Sequence, residues 1–370
     1  MAGNFDYREQ RNRMANEKVR DLLTDLPPYV QTFLVGREGK MSPQTRYIYT
    51  SRIDLFFQYL VQRHAFGDRK KQEITLSDLE SLKIEDIELF MSWIRHGNSS
   101  RSNRKTDNRE TTVNNYLSAL NTFYNYFLRR GKISVNPVAG VERGRVRKHD
   151  VIRLDDRQKD QFFHCIETGE GLTVQQKRYH DKTALRDQTI CLVLARTGLR
   201  VSELVGLDVD HIDFTDCSLT VLRKGNKYDH LFFDDEVAAL LEEYLEYRKT
   251  LVENDPTEKA LFLVTFGKYK GTRISVRTVE RLVKKYAVAG APTAGSRISP
   301  HKLRATYATD MPRATNNIVL VQQALNHESP RTTMVYTDTR TINLQNARNV
   351  LADVAEDRKK QRRKKASDPE

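Results

Sequence analysis

The chain has 370 residues, 38% hydrophobic and 30% charged, which is length for two domains plus tails and apolar content enough to bury cores. No apolar run approaches the roughly 20 residues of a membrane-spanning helix, which excludes an integral helical membrane protein. The excess of 62 Lys and Arg over 49 Asp and Glu, a formal charge of +13, favours a polyanionic partner, because cations that neutralise phosphates release counterions; ribosomal, RNA-binding and DNA-binding proteins all remain open.

The opening MAGNFDYREQRNRMANEK carries charges without the apolar centre of a secretory signal, so a cytoplasmic, nucleoid-associated protein is expected. Residues 1–26 read as a polar N-terminal arm or loosely held helix. From Tyr29 the spacing turns helical, with Phe33 and Leu34, then Tyr47, Ile48, Ile53, Phe56, Phe57, Leu60 and Val61. Ser42-Pro43 between them is a helix start, the hydroxyl capping free N–H groups and the ring preset for the first turn. Ser77-x-x-Glu80 suggests the start of another helix and Lys83 to Ile94 a further one. Residues 97–110 are polar and basic and read as an exposed loop, after which Val113, Tyr116, Leu117, Leu120, Phe123, Tyr124 and Phe127 mark an amphipathic helix stopped near Gly131. Residues 27–140 are therefore expected to form a compact all-helical domain.

Residues 141–152 are glycine-punctuated and cationic, a basic linker between domains. Such a run is either a solvated connector or a strip along a DNA backbone. On the second reading Arg143, Arg145, Arg147 and Lys148, with Arg101, Arg104 and Lys105 of the upstream loop, are the expected DNA contacts. Behind the linker, helical spacing covers 154–166, 185–195, 236–251, 276–288, 300–309, 317–324 and 341–354. Ile212 to Phe214, Ser218 to Arg223 and His230 to Phe233 read as short strands, with Lys224-Gly225-Asn226-Lys227 as the turn of a hairpin. Residues 153–355 are thus a mainly α domain with a small antiparallel β-sheet, and 356–370 a basic, disordered tail. Pro312 is expected to break the helix that begins at Pro300.

Within the back half one set of residues carries chemistry. Ser299-Pro300 reads as a cap and first helical position, so His301 and Arg304 share a face of the first turn. Free N–H groups and the positive dipole end also point outward there, an anion site where an arginine can grip two phosphate oxygens. Arg200, just after the helix-ending Thr197-Gly198, can approach from the other side, and two guanidiniums suit the extra charge of a pentacoordinate phosphorane. Lys224, in the hairpin turn, has the reach to protonate a departing alkoxide. Tyr336 becomes a nucleophile only beside cations and a base, since a free phenol has a pKa of about 10; His301 and His327 can share that task. Singly, each has an ordinary explanation: a surface cation, a half-buried strand tyrosine, a solubilised turn. The ordered set of six matches phosphodiester cleavage without metal or cofactor. Cys165, Cys191 and Cys217 lack metal or disulfide spacing and read as reduced filler.

On these motifs the chain resembles the tyrosine recombinases of the phage-integrase and Xer type. Ala195 to Leu204 is similar to the family's first box, with Arg200 as its arginine and Glu203 as a supporting acid; Lys224 matches the hairpin lysine, His301-x-x-Arg304 the second box, and His327 and Tyr336 the last. Ala305 and Asn326 depart from residues common in the family, and neither removes a catalytic group. The resemblance implies an N-terminal helical core-binding, SAM-like domain and a site-specific DNA recombinase. Its reaction passes through a 3′-phosphotyrosine at Tyr336, on double-stranded DNA with paired half-sites, as a homodimer on one site and a homotetramer in the synapse, with no cofactor and no metal. Ile342, Leu344, Val350, Leu351 and Val354 would form the apolar face of the helix that such proteins pass between protomers. Integration or excision of a mobile element is the leading reading; Xer-like resolution of replicon dimers or DNA inversion is the alternative. A catalytically idle DNA-binding regulator and a type IB topoisomerase-like enzyme are weighed beside them.

Overall fold

The computed structural model describes residues 3–63, 66, 69–96, 110–146, 154–223, 227–253, 255–290 and 298–315. Two compact units emerge, Phe5–His149 and Asp150–Glu370. The expected helices over 317–324 and 341–354, the tail, and all but the last residue of the 97–110 loop lie outside the described residues.

The first unit consists of helices α1 (Gly3–Leu23), α2 (Pro28–Val35), α3 (Pro43–Arg63), α4 (Leu76–Ser81), α5 (Ile84–Arg95) and α6 (Glu110–Leu128). Its core is largely aromatic: Phe33, Phe56, Phe57, Phe90 and Phe123 are fully buried, and Phe33 meets Phe123 edge-on with centroids 5.2 Å apart. Tyrosines share this core because each finds a carbonyl, Tyr29 donating to Ile74 (2.7 Å), Tyr124 to Leu79 (3.2 Å) and Tyr126 to Thr32 (3.0 Å). The polar segment 1–26, expected as an arm, is helical over Gly3–Leu23 and buries Ala15 and Val19. It is tied to α3 by Gln44 Nε2 on the Arg11 carbonyl (2.9 Å) and by Arg46 on Asn16 (3.2 Å).

Ser42 caps α3 as expected, its hydroxyl accepting from Thr45 N at 3.2 Å. The cap of α4 is displaced from the expected Ser77-x-x-Glu80. Thr75 and Asp78 form the reciprocal pair, with Thr75 N on Asp78 Oδ2 (2.8 Å) and Asp78 N on Thr75 Oγ1 (3.1 Å), while Glu80 accepts from Ser134. Beyond α6, the start of the presumed linker lies along this unit. Asn114 Nδ2 donates to the Gly144 carbonyl (2.8 Å), Arg143 to Ser118 Oγ (3.0 Å), and a Cβ on Gly144 would collide with the Glu110 carboxylate.

The second unit contains α7 (Asp156–Thr168), α8 (Val174–Lys177), α9 (Ala184–Thr197), α10 (Val201–Val205), α11 (Asp235–Lys249), α12 (Val276–Gly290) and α13 (Pro300–Thr315). Its antiparallel sheet runs in the order β1 (Ile212–Asp213), β2 (Ser218–Leu222), β3 (Tyr228–Phe232). Helix α9 is buried nearly all round through Ile190, Cys191, Val193 and Leu194, and α7, α11 and α13 pack on it. Contrary to expectation, Pro312 does not end α13, which runs on to Thr315. A proline inside a helix removes one backbone bond, and the bonds on either side can carry the helix past it.

One buried polar cluster joins α9 to α12. Asp187, 1% exposed, receives Arg186 at 2.6 Å, Tyr286 Oη at 2.9 Å and Lys285 Nζ at 3.2 Å. Burial, with the adjacent carboxylate, drives the Tyr286 phenol far above its ordinary value, so it stays a donor. Asp187→Ala would leave Arg186 charged and buried, and is expected to cost about 3–5 kcal/mol of unfolding free energy in denaturant titrations.

Candidate active site

The site is assembled from the ends of three helices and the base of a hairpin. Helix α9 ends where Gly198 adopts a left-handed conformation (φ 62°), which turns the chain so that Leu199 is buried and Arg200 opens α10. Glu203 then closes the α10 N-terminus: one carboxylate oxygen accepts Arg200 N (2.9 Å), the other the Arg200 guanidinium (2.8 Å). The Glu203 side chain is 9% exposed and that of Arg200 42%, so a buried acid holds a partly exposed guanidinium.

Helix α13 begins as the sequence implies, with Lys302 N and Leu303 N on the Ser299 carbonyl at 2.8 and 3.1 Å. His301 is on the surface of its first turn, whereas Arg304 is 3% exposed and donates through Nη1 to the Gly198 carbonyl. Residues more than a hundred positions apart are thereby joined, the second-box arginine seated on the turn that presents Arg200. The His301 ring feels this assembly. Desolvation first, then the charges of Arg304, Lys302 and Arg200, hold its pKa below the ordinary histidine value. It is therefore neutral at pH 7, able to accept a proton or a hydrogen bond. Arg200→Ala removes one of those charges, so an NMR titration of the His301 ring is expected to show its pKa rising toward the ordinary value, the protonated form persisting to higher pH.

A further member escaped the motif reading. Arg223, 2% exposed, donates Nη1 to Glu203 Oε2 (2.8 Å) and Nε to Asp229 Oδ2 (3.1 Å). Strand alternation held the signal: Leu219 and Val221 face the core, and Arg223 continues the same face. Among the expected DNA contacts, Arg143 and Arg145 are exposed on the helical unit. Lys224, His327 and Tyr336, with Arg101, Arg104, Lys105, Arg147 and Lys148, lie outside the described residues. Among those described, no three His, Cys, Asp or Glu side chains group as a metal site, and no helix is long and apolar enough to cross a membrane.

Residues 153–341 match the pattern of the phage integrase family, and residues 25–146 that of the phage integrase SAM-like domain. The chain belongs to the phage integrase family. Tyrosine recombinase XerS of Streptococcus gordonii is 29% identical over 362 residues, 92% of this chain and all of the relative. Tyrosine recombinase XerC of Vibrio vulnificus is 30% identical over 324 residues, covering 85% of this chain and 93% of the relative. In fold it is similar to XerH site-specific recombinase bound to its difH substrate, with a TM-score of 0.58 at 18% identity over 84% of this chain and 80% of that one. The Tn1549 transposon integrase in complex with transposon right end DNA gives 0.58 at 20% identity over 86% and 98%. This phage integrase family member is a tyrosine-type site-specific recombinase, an enzyme with a mainly helical fold and a small antiparallel sheet.

Proposed function

We propose that the chain exchanges DNA strands at paired half-sites, with Tyr336 as nucleophile, in integration or excision of a mobile element. Tyr336 Oη attacks the scissile phosphorus, the P–O5′ bond breaks, and a 3′-phosphotyrosine conserves the bond energy until a partner strand's 5′-hydroxyl reverses the step. Arg200 and Arg304 neutralise the phosphorane oxygens, where preorganised donors contribute most. Neutral His301, with His327, takes up the phenolic proton, and Lys224 supplies one to the departing 5′ oxygen. Glu203 holds Arg200. Arg143 and Arg145, with Arg147, Lys148, Arg101, Arg104 and Lys105, contact the DNA backbone, and sites pair as a homodimer each and a homotetramer in synapsis. On this reading residues 27–140 bind the core site, 141–152 connect, and 153–355 catalyse.

The observation that carries the reading is Arg304 seated on the Gly198 carbonyl with Arg200 within electrostatic reach of His301, two guanidiniums and a neutral imidazole from distant segments. A DNA duplex carrying inverted half-sites and a nick beside the scissile phosphate tests the chemistry. Loss of the short fragment that bears the freed 5′-hydroxyl should strand the protein as a covalent adduct. Absence of an adduct on sites taken from its own replicon would overturn the proposal.

A further inference from the structure

Four charged side chains form one continuous chain from the hairpin to the first-box arginine. Asp229 on β3 receives Arg223 Nε, Arg223 Nη1 reaches Glu203 Oε2, and Glu203 Oε1 holds Arg200. Arg223 N also bonds the Lys227 carbonyl at 2.8 Å, closing the ladder that pairs Val221 with Asp229 and Leu222 with Tyr228. The guanidinium thus ties both strands of the hairpin to the acid that orients Arg200. Its remaining Nη2 is buried and makes no hydrogen bond among the described residues. A buried cation with a donor left over is a poor device for stability alone, since a wholly apolar replacement of a buried ion pair commonly serves a core as well or better. What an apolar residue cannot do is fix the distance between the hairpin and Glu203.

We propose that Arg223 is a positioning residue for strand exchange: it locks the base of the β2–β3 hairpin to Glu203, and so sets Lys224, the next residue in the chain, in register with Arg200. The inference rests on the proposed recombinase chemistry. Arg223 touches none of the reacting atoms. Its effect passes through the proton that Lys224 gives to O5′ as the P–O5′ bond breaks and the bond from phosphorus to Tyr336 Oη forms. Misplacing a reacting group by about 1 Å can cost on the order of 10²-fold in rate.

The test uses the full chain and nicked half-site DNA in two forms, one with the ordinary scissile phosphodiester and one with sulfur replacing the bridging 5′ oxygen. A thiolate departs without a proton, so the sulfur substrate removes the need for Lys224. Arg223→Met, which leaves Glu203 with one cation fewer and so melts below the parent, should at a temperature where both are folded bind the site with unchanged Kd and cleave ordinary DNA about 10²-fold more slowly. On the sulfur substrate it should cleave within a few-fold of the parent, as Lys224→Ala should. Arg223→Lys, which keeps a charge on Glu203 but cannot also reach Asp229 with a second donor, should recover part of the ordinary rate. Parental cleavage of ordinary DNA by Arg223→Met, or equal slowing on both substrates, overturns the inference. If the Met variant does not fold, Asp229→Asn loosens the same hairpin at a partly exposed position, and the same comparison of substrates decides. Failure of the parent to form a Tyr336-dependent adduct on either substrate would instead remove the recombinase chemistry beneath it.

Discussion

Tyr336→Phe is expected to abolish the covalent protein–DNA adduct while leaving site binding unchanged. The substitution removes a single oxygen and keeps the ring, so it deletes the atom that would attack phosphorus with little change in packing volume. No neighbouring hydroxyl inherits the role, because an activated phenol needs the cations and base arranged around one position. Loss of the nucleophile from an enzyme with covalent catalysis removes several powers of ten, about 10⁴-fold or more. The readout is gel retardation for binding beside denaturing electrophoresis of end-labelled nicked DNA for the adduct. Strand cleavage by Tyr336→Phe at even a hundredth of the parental rate would assign the nucleophile elsewhere.

The parts of the molecule legible before folding are those in which one segment decides its own conformation. Ser42-Pro43 and Ser299-Pro300 start helices because a cap and a proline at the first position act within a few residues. Gly198 ends α9 because a left-handed residue is needed there. The apolar periodicity of α3 and α6 followed from the aromatic core that both line. Misreadings arose where neighbouring candidates compete. Thr75 and Ser77 both precede an acid by three, and burial of Leu79 with the Glu80–Ser134 contact favours the earlier frame. Pro312 predicts a helix end on local grounds, whereas α13, anchored ahead of it by the buried Ala305 and Ala308, runs on to Thr315. Within the site, His301 and Arg304 announce themselves by shared helix face. The Arg223–Glu203 bond and the Asp187 cluster do not, since each joins residues 20 or about a hundred positions apart. A motif scan finds residues that meet the substrate more readily than residues that hold those in place.

Arg304→Lys, the second large effect, is expected to slow cleavage by about 10²–10³-fold, the usual consequence of losing one preorganised transition-state donor. Charge is retained, so a loss of that size would show that geometry is what matters. The guanidinium is a planar fork with several donors. In the free protein Nη1 donates to the Gly198 carbonyl, and the rigid fork fixes the angle of every other donor relative to that contact. An ammonium on a flexible stem can satisfy the carbonyl or a phosphate oxygen, and holds neither at a fixed angle. Two measurements separate the parts. Loss of the Gly198 contact should lower unfolding free energy by about 1–3 kcal/mol, because a buried carbonyl is left short of a donor. It should also loosen the turn before Arg200, so that combining Arg304→Lys with Arg200→Lys slows cleavage by less than the product of the separate effects. Full multiplicativity would mean that the two arginines act on the phosphate independently, and the Gly198 contact would then be structural alone.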